Sequence, residues 1–343
     1  MIMNDNKVRY DWVDTLKFLG ILFIYVGHYA DAAGLFYKYV FQFHVPMFFF
    51  ISGFFFKNNT SENIINFAIK KFLKYMLPYF ILNILYIVVC CLLNNYGIAF
   101  ILKNMIKMIL GIRNDLISNS TWFIPCLFSI EMIYFVLNKI FKGNKYILCI
   151  LSLILYVIFI YLMPFNPIIN PSWFWNIDSA FVYLIYFSLG NLLFVYIKDL
   201  KKFYSSHKAV FLCLLCLVCL INAICFFKGR EFISLLLIGK YYFLYDIFFT
   251  LNLIFFWIVI SFCISDCKLF SNVGKDTLYL CLTEKLIKDL IVNFLLVFCI
   301  TINLSNSFVI IVYCIMIIIF NSKFLIPFLK RIGLYFSKKM KEW

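Results

Sequence analysis

The chain has 343 residues, 65% of them hydrophobic and only 14% charged. Soluble globular chains run near about 45–50% apolar and about 25% charged, so an ordinary cytosolic enzyme, a disordered tail and a soluble binding module are excluded. The net charge of +15 would suggest nucleic acid in a soluble domain, but these cations lie between apolar runs, as in the loops of membrane proteins, and no nucleic-acid partner is expected.

A helix needs about 20 mostly apolar residues to cross a bilayer. Ten such segments are expected, at 13–32, 38–56, 75–94, 121–141, 146–163, 174–197, 209–227, 241–264, 277–299 and 307–327. Barrel strands would alternate apolar and polar residues, and these runs do not. The predicted fold is therefore all-α: a polytopic membrane helix bundle of about ten spans, one domain over 1–343. The polar opening MIMNDNKVRYDW predicts no cleavable signal peptide. With the N-terminus inside, twenty Lys and Arg fall in cytoplasmic segments and seven in outside ones; Lys17, Lys285, Lys288 and Lys323 lie within spans. The bias places both termini in the cytoplasm.

Ionisable groups within spans are costly and are functional candidates. The first span holds Asp14, Lys17 and His28. Eleven residues at 100° each are about three turns plus ~20°, so Lys17 and His28 share a face ~16 Å apart. Lys17 lies near the cytoplasmic surface and His28 deeper, and Asp14 can pair with Lys17. Lys17 also fits a snorkelling stem, and His28 an interhelical hydrogen bond. The second span reads FQFHVPMFFFISGFFF, with His44 two residues before Pro46, where a kink is expected. A short connection makes these two spans neighbours, so both imidazoles could face one cavity.

Residues 96–112, with Lys103 and Lys107 four apart, predict an interfacial amphipathic helix. The fourth span opens on Trp122, also readable as an interfacial anchor, and contains Glu131. Asp178 opens the sixth, which runs through YFSLGN. In the seventh, Cys213, Cys216 and Cys219 are spaced like metal ligands, but without a nearby His or acid they read better as small apolar fillers. His207 lies in a basic loop and is expected to be solvated, and Asp246 lies in the eighth span. The ninth contains Glu284, Lys285, Lys288 and Asp289, two i,i+4 pairs that also fit structural pairing.

DWVDTLKFLGILFIYVGHY followed by FHVPMFFFISG resembles the acyltransferase-3 family of integral membrane acyltransferases, nearest its sugar O-acetyltransferase branch. The family's basic residue, ten residues, then His is met by Lys17 and His28. Its WFL-type start is matched by Trp122–Ile124, its Asp and F-x-x-G ending by Asp178 and FSLG (187–190), and its late GKNTLYIYLLH-type stretch by GKDTLYLCLTE. Glu284 there stands where the family commonly has His. The resemblance spans nearly the whole chain.

The resemblance implies transfer of an acyl group, usually acetyl from acetyl-CoA, to a glycan hydroxyl, in a bacterial cytoplasmic membrane and without a metal. His28 would be the general base, with a covalent acetyl-histidine as another route. A carboxylate would orient it, and the sequence leaves open which. His44 would hold the second substrate or stabilise the oxyanion. Lys17 would meet the CoA phosphates, as a point charge without the fork of Arg, and Trp122 would pack on the pantetheine or a sugar face. Asp14, Arg113, Asp178 and Glu284 are the candidate substrate-binding residues. The acceptor would be a glycan or lipid-linked sugar, in contact with membrane lipid; oligomeric state stays open. A transporter or flippase for a glycan or lipid-linked sugar would also explain buried charges, although the Lys17–His28 spacing and FHVP weigh against it. A polysaccharide polymerase would show a larger outside loop, and a scaffold would not keep polar groups in its spans.

Overall fold

The computed structural model describes residues 9–236, 242–300, 304 and 306–331, with no side-chain description for 228–236 and 242–243. Several cations used for the topology, Lys7, Lys228, Arg230, Lys240, Lys338, Lys339 and Lys341, lie outside that description, wholly or in their side chains. All regular structure among the described residues is helical.

The helices are α1 (Asp11–Gly27), α2 (Leu35–Val40), α3 (His44–Phe54), α4 (Ile64–Lys71), α5 (Leu77–Asn94), α6 (Ile98–Leu110), α7 (Phe123–Ile140), α8 (Lys145–Tyr161), α9 (Ile177–Ser206), α10 (Lys208–Leu236), α11 (Tyr242–Ile264), α12 (Lys268–Gly274), α13 (Thr277–Val297) and α14 (Ser307–Phe320). The side chains of Asn63, Asn144 and Asn306 start α4, α8 and α14 by accepting from free backbone N–H groups of the first turn. Asn95 and Gly111 end α5 and α6 in the left-handed conformation.

Six stretches among the described residues are long and apolar enough to cross a membrane: Ile64–Asn94, Asn119–Ile140, Phe174–Ser206, Lys208–Phe227, Leu244–Ile264 and Ser307–Arg331. The expected segment 13–32 is α-helical only to Gly27, with a short 3-10 helix following at Ala30–Ala33, and 146–163 forms the 17-residue α8. The expected span 38–56 divides at Phe41–Phe43 into α2 and α3, so it is not one helix. Pro46 makes no kink: it sits in the first turn of α3, where a helix needs no N–H from it. Residues 98–110 do form a short helix with Ile98, Leu102, Ile106 and Ile109 exposed and Asn104 and Met108 buried.

α1 is the central helix. Every residue from Trp12 to Gly27 is buried except Lys17. A helix apolar on all faces belongs inside a bundle, and α1 packs on α3, α11, α12, α13 and α14. α3 runs back along it, for Lys17 Nζ lies 5.0 Å from the Phe55 ring at one end while His28 and His44 lie at the other.

Three glycines of the sequence motifs set the closest approaches. A Cβ on Gly53 would stand 2.1 Å from the Phe187 carbonyl oxygen, and one on Gly190 would stand 2.0 Å from that of Phe50. The two residues thus let α3 and α9 touch backbone to backbone, the small-residue device of membrane helices. Asn191 Nδ2 then donates to the carbonyls of Gly53 and Phe56, at 3.0 and 3.1 Å. A Cβ on Gly274 would meet the Asp14 carbonyl oxygen at 1.7 Å, so α12 lies equally close on α1.

Candidate functional site

His28 caps the C-terminus of α1 and keeps helical backbone (φ −75°, ψ −1°), so the ~16 Å rise from Lys17 carries through to it. Its side chain is 33% exposed, which leaves the imidazole open to a substrate. His28 Nδ1 lies 2.7 Å from Glu284 Oε1 on α13. A carboxylate only accepts, so the Nδ1–H donates to it and Nε2 is the nitrogen left to act as a base. Glu284 is buried, and its Oε1 also accepts from Lys288 Nζ at 2.6 Å. Lys288 Nζ donates further to the Tyr25 carbonyl at 3.1 Å and lies 5.0 and 4.6 Å from the Tyr25 and Tyr29 rings.

Tyr25 Oη donates to the Leu280 carbonyl at 2.9 Å. Asn321 Nδ2 donates to Tyr25 Oη at 3.3 Å and to Thr283 Oγ1 at 2.8 Å. Asn321 opens a π-helical turn, Asn321–Leu325, that continues α14. Such turns insert a residue and recur at functional sites. Two buried atoms there, Glu284 Oε2 and Asn321 Oδ1, have no hydrogen-bond partner.

His44 is buried at the start of α3, its Nδ1–H donating to the Val40 carbonyl at 2.7 Å and its ring edge-on to Phe41 at 4.8 Å. His28, at the C-terminus of α1, and His44, at the N-terminus of α3, lie at the same end of that helix pair. The Arg113 guanidinium lies 4.5 Å from the Trp122 ring and donates from Nη1 to the Ile168 carbonyl at 2.6 Å. Trp122 is 5% exposed, so it is packed away, and the group it holds is Arg113. The backbone N–H of Arg113 donates to Asn176 Oδ1 at 2.9 Å, while Asn176 Nδ2 donates to the Gly111 carbonyl at 2.6 Å. Asn176 and its neighbour Trp175 both have φ 53°, a left-handed backbone that these bonds hold in place.

Asp178 opens α9. Fully buried, its oxygens accept from the backbone N–H groups of Ser172 (2.7 Å), Trp173 (3.1 Å) and Ser179 (2.8 Å), which ties the loop before α9 to that helix. Asp14 faces two cations: Arg9 Nε at 2.6 Å and Lys17 Nζ at 3.3 Å. This cluster lies at the far end of α1 from His28.

The i,i+4 pairs form as their spacing predicts, and Lys285 Nζ stands 3.2 Å from Asp289. Glu131 is held by Lys71 and by Tyr75 Oη at 2.9 Å. His207 is exposed and stacks on Phe203. Cys213, Cys216 and Cys219 are exposed on α10, and among the described residues no three His, Cys, Asp or Glu are grouped to hold a metal. Arg9, Tyr25, Thr283 and Asn321 were not singled out from the sequence. Polar residues such as Tyr, Thr and Asn are common at helix faces, and only packing shows which of them converge.

The described residues thus form a helical bundle with six stretches of membrane-spanning length and apolarity and a histidine–carboxylate pair at the end of its buried central helix. The family model described as Acyltransferase domain, that of acyltransferase-3, matches residues 10–322, and the chain belongs to that family. The family supports membrane acyl transfer in general. Neither a curated protein nor a solved structure matches the chain.

Proposed function

We propose that this protein transfers an acetyl group from acetyl-CoA to a hydroxyl of a cell-surface glycan or its lipid-linked precursor, as in the O-acetyltransferase branch. The observation that carries this reading is the 2.7 Å contact between His28 Nδ1 and Glu284 Oε1, with the imidazole one-third exposed. Glu284 fixes the tautomer and balances the imidazolium that forms, in the manner of a triad carboxylate. His28 Nε2 takes the proton of the acceptor hydroxyl. The alkoxide oxygen bonds to the thioester carbonyl carbon, the carbon–sulfur bond breaks, and the CoA thiolate leaves with the proton returned by His28.

Lys17, about 16 Å along α1 from His28, is the proposed contact for the CoA phosphates, and Arg9 shares its carboxylate partner, Asp14. The extended pantetheine arm spans that separation. His44 and Arg113, the latter held by Trp122, are proposed to bind the acceptor or the developing oxyanion. Asp14 and Asp178 are proposed to position the two ends of the site.

The proposed topology has ten spans with both termini in the cytoplasm of a bacterial cell membrane, supported by the twenty-to-seven division of Lys and Arg. Purified protein in nanodiscs with radiolabelled acetyl-CoA and candidate glycan acceptors tests the reading. Transfer of label to the acceptor or the protein is expected. Absence of label on both, with bound acetyl-CoA demonstrated, overturns it.

A further inference from the structure

The turn that ends α1 leaves one carbonyl open beside His28. The Tyr29 N–H donates to the Val26 carbonyl, at 3.0 Å, and not to that of Tyr25 four residues back. The last carbonyls of a helix need donors from outside it, and a cation suits that end of the helix dipole. Lys288 on α13 supplies both. Its Nζ donates to the Tyr25 carbonyl at 3.1 Å and lies against the Tyr25 and Tyr29 rings, so it grips α1 on either side of His28. The same Nζ donates to Glu284 Oε1 at 2.6 Å, the oxygen that His28 Nδ1 meets at 2.7 Å. Among the described residues these are the only two donors to that carboxylate, for Oε2 is buried without a hydrogen-bond partner.

The terminal torsion of a Glu side chain is soft, so one imidazole does not fix which oxygen faces it. Lys288 does: its side chain is 12% exposed and is itself held by the Tyr25 carbonyl and two rings of α1. We propose that Lys288 is a positioning residue for His28, a clamp that ties the end of α1 to the Glu284 carboxylate and so keeps Oε1 on Nδ1. Its place in the reaction rests on the reading of His28 as the base. An i,i+4 pair would form on an isolated helix; the reach across to α1 is what sets this one apart. The neighbouring pair on α13, Lys285 with Asp289, has its lysine half exposed and is the natural control.

Two readouts test the clamp on the full chain in nanodiscs, each in the wild-type background and with Glu284→Gln. The first is the rate at which diethyl pyrocarbonate modifies His28, followed by mass spectrometry against the exposed His207. Lys288→Met is expected to lower that rate about threefold or more, near the lower end of coupling within one hydrogen-bond network, because the imidazole loses the fixed acceptor on Nδ1. With Glu284→Gln already present the same substitution changes nothing further. The second is acetyl transfer. Lys288→Met lowers kcat about ten- to a hundredfold, the scale of a hydrogen bond to a charged group, with KM for acetyl-CoA unchanged, and again only while Glu284 is present. Lys285→Met leaves both readouts as they were. Should Lys288→Met not fold, Lys288→Gln, which removes the charge and shortens the side chain, is read the same way. A His28 rate untouched by the Lys288 variant, or lowered equally in both backgrounds, overturns the proposal, as does a wild-type kcat. If His28 responds as expected while the wild-type protein labels no acceptor, the acetyl-transfer reading falls and the clamp stands.

Discussion

His28 and Glu284 are 256 residues apart in the chain and 2.7 Å apart at Nδ1 and Oε1. The contact joins the end of α1 to the buried face of α13 and leaves Nε2 of His28 as the free base. His28→Ala is therefore expected to lower acetyl transfer by about 10²–10⁴-fold, the usual contribution of a positioned general base, with membrane expression retained. Rates of the purified variant within a few-fold of wild type would remove His28 from that role.

Glu284→Gln keeps the side chain's shape and removes its charge. kcat should fall by about 10²-fold or more, with little change in KM for acetyl-CoA. Glu284→Ala adds a stability cost, because Lys288, only 12% exposed, loses its carboxylate. Breaking a buried pair from one side costs about 3–5 kcal/mol. Replacing both partners with Met should recover much of the thermal stability and none of the activity. A Glu284→Ala protein that melts like wild type would show that the pair is not structurally coupled.

Lys17→Ala should raise KM for acetyl-CoA and leave kcat nearly intact, since the proposed contact is to the remote end of the donor. Lys17→Arg should preserve binding, with Asp14 still paired. Steady-state kinetics with varied acetyl-CoA decides the matter: an unchanged KM with a reduced kcat would rule out the anchor.

Arg113 is stacked on Trp122 and bonded to the Ile168 carbonyl. Lys has neither the plane nor the fork to keep both contacts. Arg113→Lys is expected to raise the acceptor KM by about tenfold, within the range of a desolvated cation–π contact, and to leave acetyl-CoA binding alone. An effect confined to acetyl-CoA would place Arg113 on the donor instead.

Gly190→Ala would set a methyl group 2.0 Å from the Phe50 carbonyl oxygen, a backbone atom that moves only with α3. Overpacking of this kind costs about 1–3 kcal/mol or more, read as a lower melting temperature in detergent. Gly97→Ala is the control, because nothing lies within 4 Å of a Cβ there. Equal melting temperatures for the two variants would mean that α3 and α9 are not held as described.

Hydropathy in the sequence was enough to place this chain in a membrane and to make its regular structure helical, since lipid leaves no other way to satisfy a continuous apolar backbone. The helical period alone put Lys17 and His28 on one face and foretold the Glu284–Lys288 and Lys285–Asp289 pairs. These are local relations, set by 3.6 residues per turn. Helix ends were less legible. The division of 38–56 into α2 and α3 falls at Phe41–Gln42–Phe43, where Gln42 and His44 are too few to lower the averaged hydropathy of the run enough to mark a break.

Tertiary structure alone decided that Glu284, rather than Asp14 or Asp178, is the carboxylate on His28. It also put Arg113 over Trp122 and made Gly53, Gly190 and Gly274 the points of closest helix approach. The reason is physical. In a chain this uniformly apolar, hydrophobicity does not distinguish one helix face from another. Partners are selected by backbone approach at small residues and by the need of each buried polar group for a mate, and both are properties of the packed bundle.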